Sequence, residues 1–74
     1  MRVPKREEPF RREVRELIEA ILRLKGRSGD DLAERTHHHL QRCLGRIRAG
    51  ETTCWEVLSG LRLNLQRAEY EDAA

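Results

Sequence analysis

The sequence has few aromatic residues, prolines and cysteines. Among its 74 residues it has one Phe, one Trp and one Tyr, with two prolines and two cysteines. Two cysteines cannot build the disulfide framework of a small secreted domain, so we expect reduced thiols and a cytoplasmic protein. No apolar run approaches the roughly 18 to 20 residues that cross a membrane, and the first residues lack the apolar segment of a secretory signal. The sequence therefore predicts neither a membrane-spanning protein nor an exported one.

Motifs for catalysis and metal binding are also missing. We find no glycine-rich phosphate loop, paired catalytic carboxylates or Ser-His-Asp order. His37, His38 and His39 are consecutive, and side chains diverge by about 100° per residue on a helix, so the three cannot converge on one ion. His39 and Cys43 could share a zinc ion, but further ligands are missing. Cys54 lies near a predicted helix start without a positioned base, so we interpret it as a core residue. We predict no enzyme activity, no metal site and no cofactor.

Charge, by contrast, is abundant. Charged residues make up 38% of the chain, as do apolar ones, and fifteen basic against thirteen acidic residues give a formal net charge of +2. Thirteen of the basic residues are arginine, whose planar fork suits carboxylate, phosphate and aromatic partners. A chain of this length buries only about 60% of its unfolded surface. We therefore expect a single helical domain over residues 1–74. Its fold is either only marginally stable or completed by a partner.

Three segments have the hydrophobic spacing of amphipathic helices, and we predict helices at about 8–25, 29–49 and 53–70, with frayed ends at 1–6 and 71–74. Their apolar residues recur at steps of three or four and form one stripe on each helix. The stripes are Phe10, Val14, Leu17, Ile21 and Leu24, widened by Ile18 and Leu22; Leu32, Thr36, Leu40, Cys43, Leu44 and Ile47; and Cys54, Leu58, Leu61, Leu65 and Ala68.

Each predicted helix also has local start or stop signals. Gly26 and Gly50 can adopt the left-handed conformation that ends a helix. Capping boxes are indicated by the pairs Ser28 with Asp31 and Thr53 with Glu56. The connections are short, which makes consecutive helices antiparallel neighbours. The fold class predicted is all-α, a small antiparallel three-helix bundle.

The third helix carries apolar residues that its core stripe does not need. Trp55, Leu63 and Tyr70 lie within about 80° of one another on a helical wheel, roughly 140° from the core stripe. Aromatic residues and arginine are enriched among the side chains that dominate binding energies, so this second face indicates an interface. The alternative is that Trp55 covers the end of the core while Tyr70 is an ordinary surface residue near a frayed end.

A basic stretch on the second helix gives the strongest local charge asymmetry. No acidic residue occurs from position 35 to position 50, and Arg35, Arg42 and Arg46 are spaced seven and four residues apart. They form one ridge of the helix, flanked by His38 and His39. Such a ridge can attract an acidic protein surface, contact a nucleic-acid backbone, or be a merely solvated helix face.

These observations favour a non-catalytic, arginine-rich helical module for protein–protein interaction. We expect an adaptor, inhibitor or regulatory subunit of the phage or plasmid type, binding a protein with an acidic or nucleic-acid-binding surface. The predicted partner-binding residues are Trp55, Leu63, Tyr70, Arg35, Arg42, Arg46, His38 and His39. A homodimer is a further possibility for the apolar face. The alternative function is a small dimeric nucleic-acid-binding regulator that uses the arginine ridge.

Overall fold

The computed structural model describes residues 7–73 and contains three helices in that range. Helix α1 spans Glu7–Leu24, α2 spans Gly29–Arg48 and α3 spans Cys54–Ala73. The predicted all-α three-helix fold is confirmed, and the described residues include no strand. Fraying was expected at 1–6 and 71–74: residues 71–73 belong to α3 instead, while 1–6 and 74 lie outside the described residues. Within 7–73, no helix is both long and apolar enough to span a membrane.

Glycines end the first two helices, as the sequence predicted. Gly26 has a φ of 87° and Gly50 a φ of 76°, which an L side chain adopts only with strain. Beyond Gly26, the amide of Arg27 donates to the carbonyl of Leu22 at 3.0 Å. The same hydrogen-bond pattern recurs around Gly50. Carbonyls that would otherwise lack partners at the two helix ends are thereby satisfied, and the chain reverses within a few residues.

The N-cap half of one of the two predicted capping boxes forms. At the start of α3, Thr53 Oγ1 accepts a hydrogen bond from the amide of Glu56 at 3.1 Å and donates one to Glu56 Oε1 at 3.1 Å. Ser28 occupies the N-cap position of α2 with extended backbone, but its side chain makes no capping hydrogen bond. The prediction at Ser28 was therefore wrong in its side-chain part, and Asp31 accepts a hydrogen bond from Arg35 Nε at 2.9 Å instead.

Helix α1 is the middle element, because it packs against both α2 and α3 while those two make few contacts with each other. Ile18 and Leu22 appeared in the sequence to extend the α1 stripe beyond one contact surface. Both are buried core residues, since α1 faces two helices and needs a correspondingly wide apolar surface. The core consists of Val14, Ile18, Ile21, Leu22, Leu32, Leu40 and Leu44, with Thr36 as its buried polar residue.

Helix α3 packs more loosely. None of its described residues is fully buried, and the predicted stripe of Leu58, Leu61, Leu65 and Ala68 is half-buried. Cys54, predicted as a core residue, is exposed. It is the first residue of α3, and Val57 packs against the core in that turn instead. With α1 as its main neighbour, α3 leaves most of its circumference uncovered.

Candidate functional site

The side of α3 that faces away from the core carries three exposed, large apolar side chains. Trp55 is 74% exposed, Leu63 60% and Tyr70 77%. The alternative interpretation, in which Trp55 covers the end of the core, was wrong, because α1 contacts the opposite side of the helix. Ser59 and Gln66 lie between the three on the helical wheel. We call the surface formed by these five residues the α3 face.

The apolar groups of the α3 face follow one another along the helix. At 1.5 Å per residue, Leu63 lies about 12 Å beyond Trp55, and Tyr70 lies about 10 Å beyond Leu63. An open hollow next to Tyr70 is lined by Leu63, Gln66, Arg67 and Glu71. Helices pack by placing side chains of one helix in the spaces between side chains of the other, and the α3 face has such spaces.

Two edges of the α3 face differ in charge pairing. On one edge Arg62 forms an ion pair with Glu13 of α1, a link between residues 49 positions apart in the chain. Sequence reasoning missed this pair, because no local spacing indicates a contact between different helices. On the other edge lie Glu56 and Arg67, about 20° apart on the wheel. Arg67 makes no ion pair with any residue that the structure describes.

The arginine ridge on α2 is exposed but partly neutralised. Arg35 Nε lies 2.9 Å from Asp31 Oδ1, and Arg46 Nε lies 3.7 Å from Glu51 Oε2. Within residues 7–73, Arg42 has no ion-pair partner. Solvent-exposed ion pairs contribute little free energy, so these arginines can exchange their partners for another carboxylate. The ridge is less positive than the acid-free stretch indicated, because an acid lies just beyond each end.

Asp31 is the titratable group most affected by this arrangement. The hydrogen bond from Arg35 holds the pKa of the Asp31 carboxyl below its ordinary value, partial desolvation opposes this effect, and the charges of Arg35 and Arg27 lower the pKa further. Asp31 therefore stays ionised at neutral pH and continues to compete with an outside acid for Arg35.

The two flanking histidines lie in different surroundings. Both are exposed, but His39 lines a groove between α2 and α3 together with Cys43, whereas His38 does not. Buried α1 residues form the floor of this groove, and burial raises the pKa of the half-buried Cys43 thiol against the opposing charges of Arg46 and Arg42. Among the described residues, no three His, Cys, Asp or Glu side chains are grouped so that they could hold a metal ion.

A second basic cluster was missed at the sequence level. Arg11, Arg12 and Arg15 line a hollow that also includes Glu8 and Leu40 of α2. The sequence predicted a basic ridge on α2 and none on α1. The spacing of Arg11 and Arg15, four residues apart, was the signal that could have indicated it.

No family model matches this chain, and no curated protein or solved structure shows a significant similarity to it.

Proposed function

We propose that the protein is a non-catalytic helical module for protein–protein interaction, acting as an adaptor, inhibitor or regulatory subunit of the phage or plasmid type. The observation that carries this proposal is the exposure of Trp55, Leu63 and Tyr70 on one side of α3. Covering large apolar side chains from water lowers the free energy, and Trp and Tyr are over-represented among residues that dominate binding energies. The α3 face is the anchoring surface in this proposal.

The arginine ridge supplies long-range attraction. Arg35, Arg42 and Arg46 are exposed on one helix edge, with His38 and His39 beside them. Charges of this kind raise the association rate with a surface of opposite sign and contribute less to the final affinity. The ridge therefore favours an acidic protein surface, including one that otherwise binds nucleic acid. Both cysteines are free, which agrees with a reducing compartment, and we propose the cytoplasm.

A nucleic-acid-binding regulator is the second candidate, and the cluster of Arg11, Arg12 and Arg15 favours it. Together with the α2 ridge, this cluster gives the protein basic side chains on two helices. Titration of duplex DNA at several salt concentrations tests this function. Micromolar or tighter affinity at physiological salt, lost steeply as salt rises, supports it, because phosphate contacts release bound counterions.

Affinity capture from a cell lysate tests the first candidate. The lysate comes from the organism that encodes the protein or, for a phage or plasmid protein, from the cell that receives its DNA. Wild-type protein is compared with Trp55→Ala and with a triple reversal of Arg35, Arg42 and Arg46 to Glu. We expect both variants to lose the same captured protein, Trp55→Ala through faster dissociation and the reversal through slower association.

The matched control reverses the same number of charges on α1, at Arg11, Arg12 and Arg15. If this control loses the captured protein and the α2 reversal keeps it, the steering role of the ridge is wrong. An unchanged set of captured proteins with Trp55→Ala and the α2 reversal contradicts the proposed function.

A further inference from the structure

The α3 face has a nearly symmetric order along its helix. Trp55 and Tyr70 lie equally far from a midpoint between residues 62 and 63, and Leu63 lies next to that midpoint. Ser59 and Gln66 share the same midpoint. If a second copy of α3 packs antiparallel about this midpoint, Trp55 lies opposite Tyr70 of the second copy and the two Leu63 side chains meet. A face with this order is complementary to itself, as a twofold dimer interface must be.

The charges on the edge of the α3 face favour the same arrangement. In antiparallel pairing the edge of one copy meets the same edge of the other, and Glu56 comes within about 3 Å along the helix axis of Arg67 of the second copy. The symmetry makes this contact twice. In parallel pairing the two residues would be about 16 Å apart along the axis. Arg62, on the opposite edge, is already neutralised by Glu13 of its own chain.

The area available on this face also suits a dimer. Trp and Tyr side chains bury about 150 to 250 Å² each. Two copies bring four such side chains together, which accounts for about half of the roughly 1,600 Å² in a standard interface, and the leucines and the two edges add to it. None of the described residues of α3 is fully buried, so burial between two copies adds stability to a chain of this length.

We propose that the α3 face is occupied by the α3 face of a second copy of this chain, in antiparallel register centred between residues 62 and 63. This inference rests on the proposed function in treating the α3 face as a binding surface, and it names the occupant. In such a dimer the α3 faces hold the two copies together, and the two α2 ridges, which lie outside the α3 faces, bind the acidic partner jointly. Trp55→Ala then speeds dissociation of that partner by separating the two ridges.

Light scattering during gel filtration measures the mass in solution. We expect wild-type protein at twice its 8.7 kDa chain mass. Trp55→Ala removes an indole from each of two equivalent contacts, so we expect the dimer dissociation constant to rise about 100-fold, tenfold for each contact. Far-ultraviolet circular dichroism checks that the variant is folded, which the 74% exposure of Trp55 predicts. Glu34→Ala, on exposed α2 surface, is the control that keeps the wild-type mass.

Cysteine cross-linking tests the register. In a background of Cys43→Ala and Cys54→Ser, one chain carries Ser59→Cys and another carries Gln66→Cys. We expect a disulfide between the two different chains when they are mixed. Each chain alone stays uncross-linked, because its two equivalent positions are about 10 Å apart along the axis, beyond the roughly 7 Å that a disulfide can span.

The outcomes separate this inference from the proposed function. Self-cross-linking of each chain alone overturns the antiparallel register. If wild type is a monomer, the dimer is wrong. If Trp55→Ala nevertheless loses a captured protein, the α3 face remains a binding surface for that protein. A monomer whose captured proteins do not change with Trp55→Ala or with the α2 reversal contradicts both proposals.

Discussion

At the scale of single residues, the core contains one polar group that lacks a partner. Thr36 is only 2% exposed, and its Oγ1 has no hydrogen-bond partner among the described residues. Because a buried, unsatisfied hydroxyl is unfavourable, we expect Thr36→Val to raise the free energy of unfolding by about 1 kcal/mol. Urea unfolding followed by circular dichroism measures this change.

Thr36→Ser is the matched control for that measurement. It keeps the hydroxyl and removes the methyl group, so we expect it to lower stability by leaving a small cavity. Equal stability of the Val and Ser variants would show that the Thr36 hydroxyl is hydrogen-bonded in solution.

Sequence patterns predicted the burial of some single side chains correctly and of others wrongly. The helical wheel correctly placed Trp55 and Tyr70 outside the core, because each helix in a three-helix fold can bury only part of its circumference. The same periodicity placed Cys54 in the core and was wrong there, because periodicity continues past the point at which a helix leaves its neighbour. The pairing of Arg46 with Glu51 depends on how the chain turns at Gly50, which spacing on a helix does not describe.

At the scale of the helices, the two N-caps give contrasting predictions. Thr53→Ala removes a side chain that accepts a hydrogen bond from the amide of Glu56, so we expect a loss of about 1 kcal/mol in the free energy of unfolding. Ser28→Ala removes a hydroxyl that makes no capping bond, so we expect a change well below that. Thermal unfolding of both variants beside wild type measures the difference. Equal losses would contradict the cap geometry described for α2.

Helix number, order and approximate ends could be predicted because they depend on local signals. Glycines that can adopt a positive φ determine where a helix ends, and apolar residues spaced three and four apart determine its buried face. Both signals depend on only a few neighbouring residues. The central position of α1 could not be predicted in the same way. The apolar stripe of α1, widened by Ile18 and Leu22, showed that this helix has more apolar surface than contact with one helix would cover. Which neighbours cover that surface is decided by packing between helices distant in sequence.

At the scale of the whole molecule, α3 is the helix least protected by its own chain. It has no fully buried residue among those described, and α1 is its main contact. We therefore expect α3 amides to exchange hydrogen faster than α1 amides in the Trp55→Ala variant. In wild type, α3 exchange should slow about threefold for each tenfold rise in protein concentration, because the monomer fraction falls with the square root of concentration.

Amides of α2 are the internal control in that experiment, since α2 is not part of the α3 face. Exchange in α3 that is independent of concentration in wild type would contradict the dimer. Faster exchange in α1 than in α3 would contradict the packing of α3 described above.

The scarcity of contacts between α2 and α3 also has an evolutionary consequence. Each outer helix rests on α1, so substitutions on the solvent side of one need no compensating change in the other. Natural selection can therefore alter the charged surface while the apolar one stays constant, or the reverse.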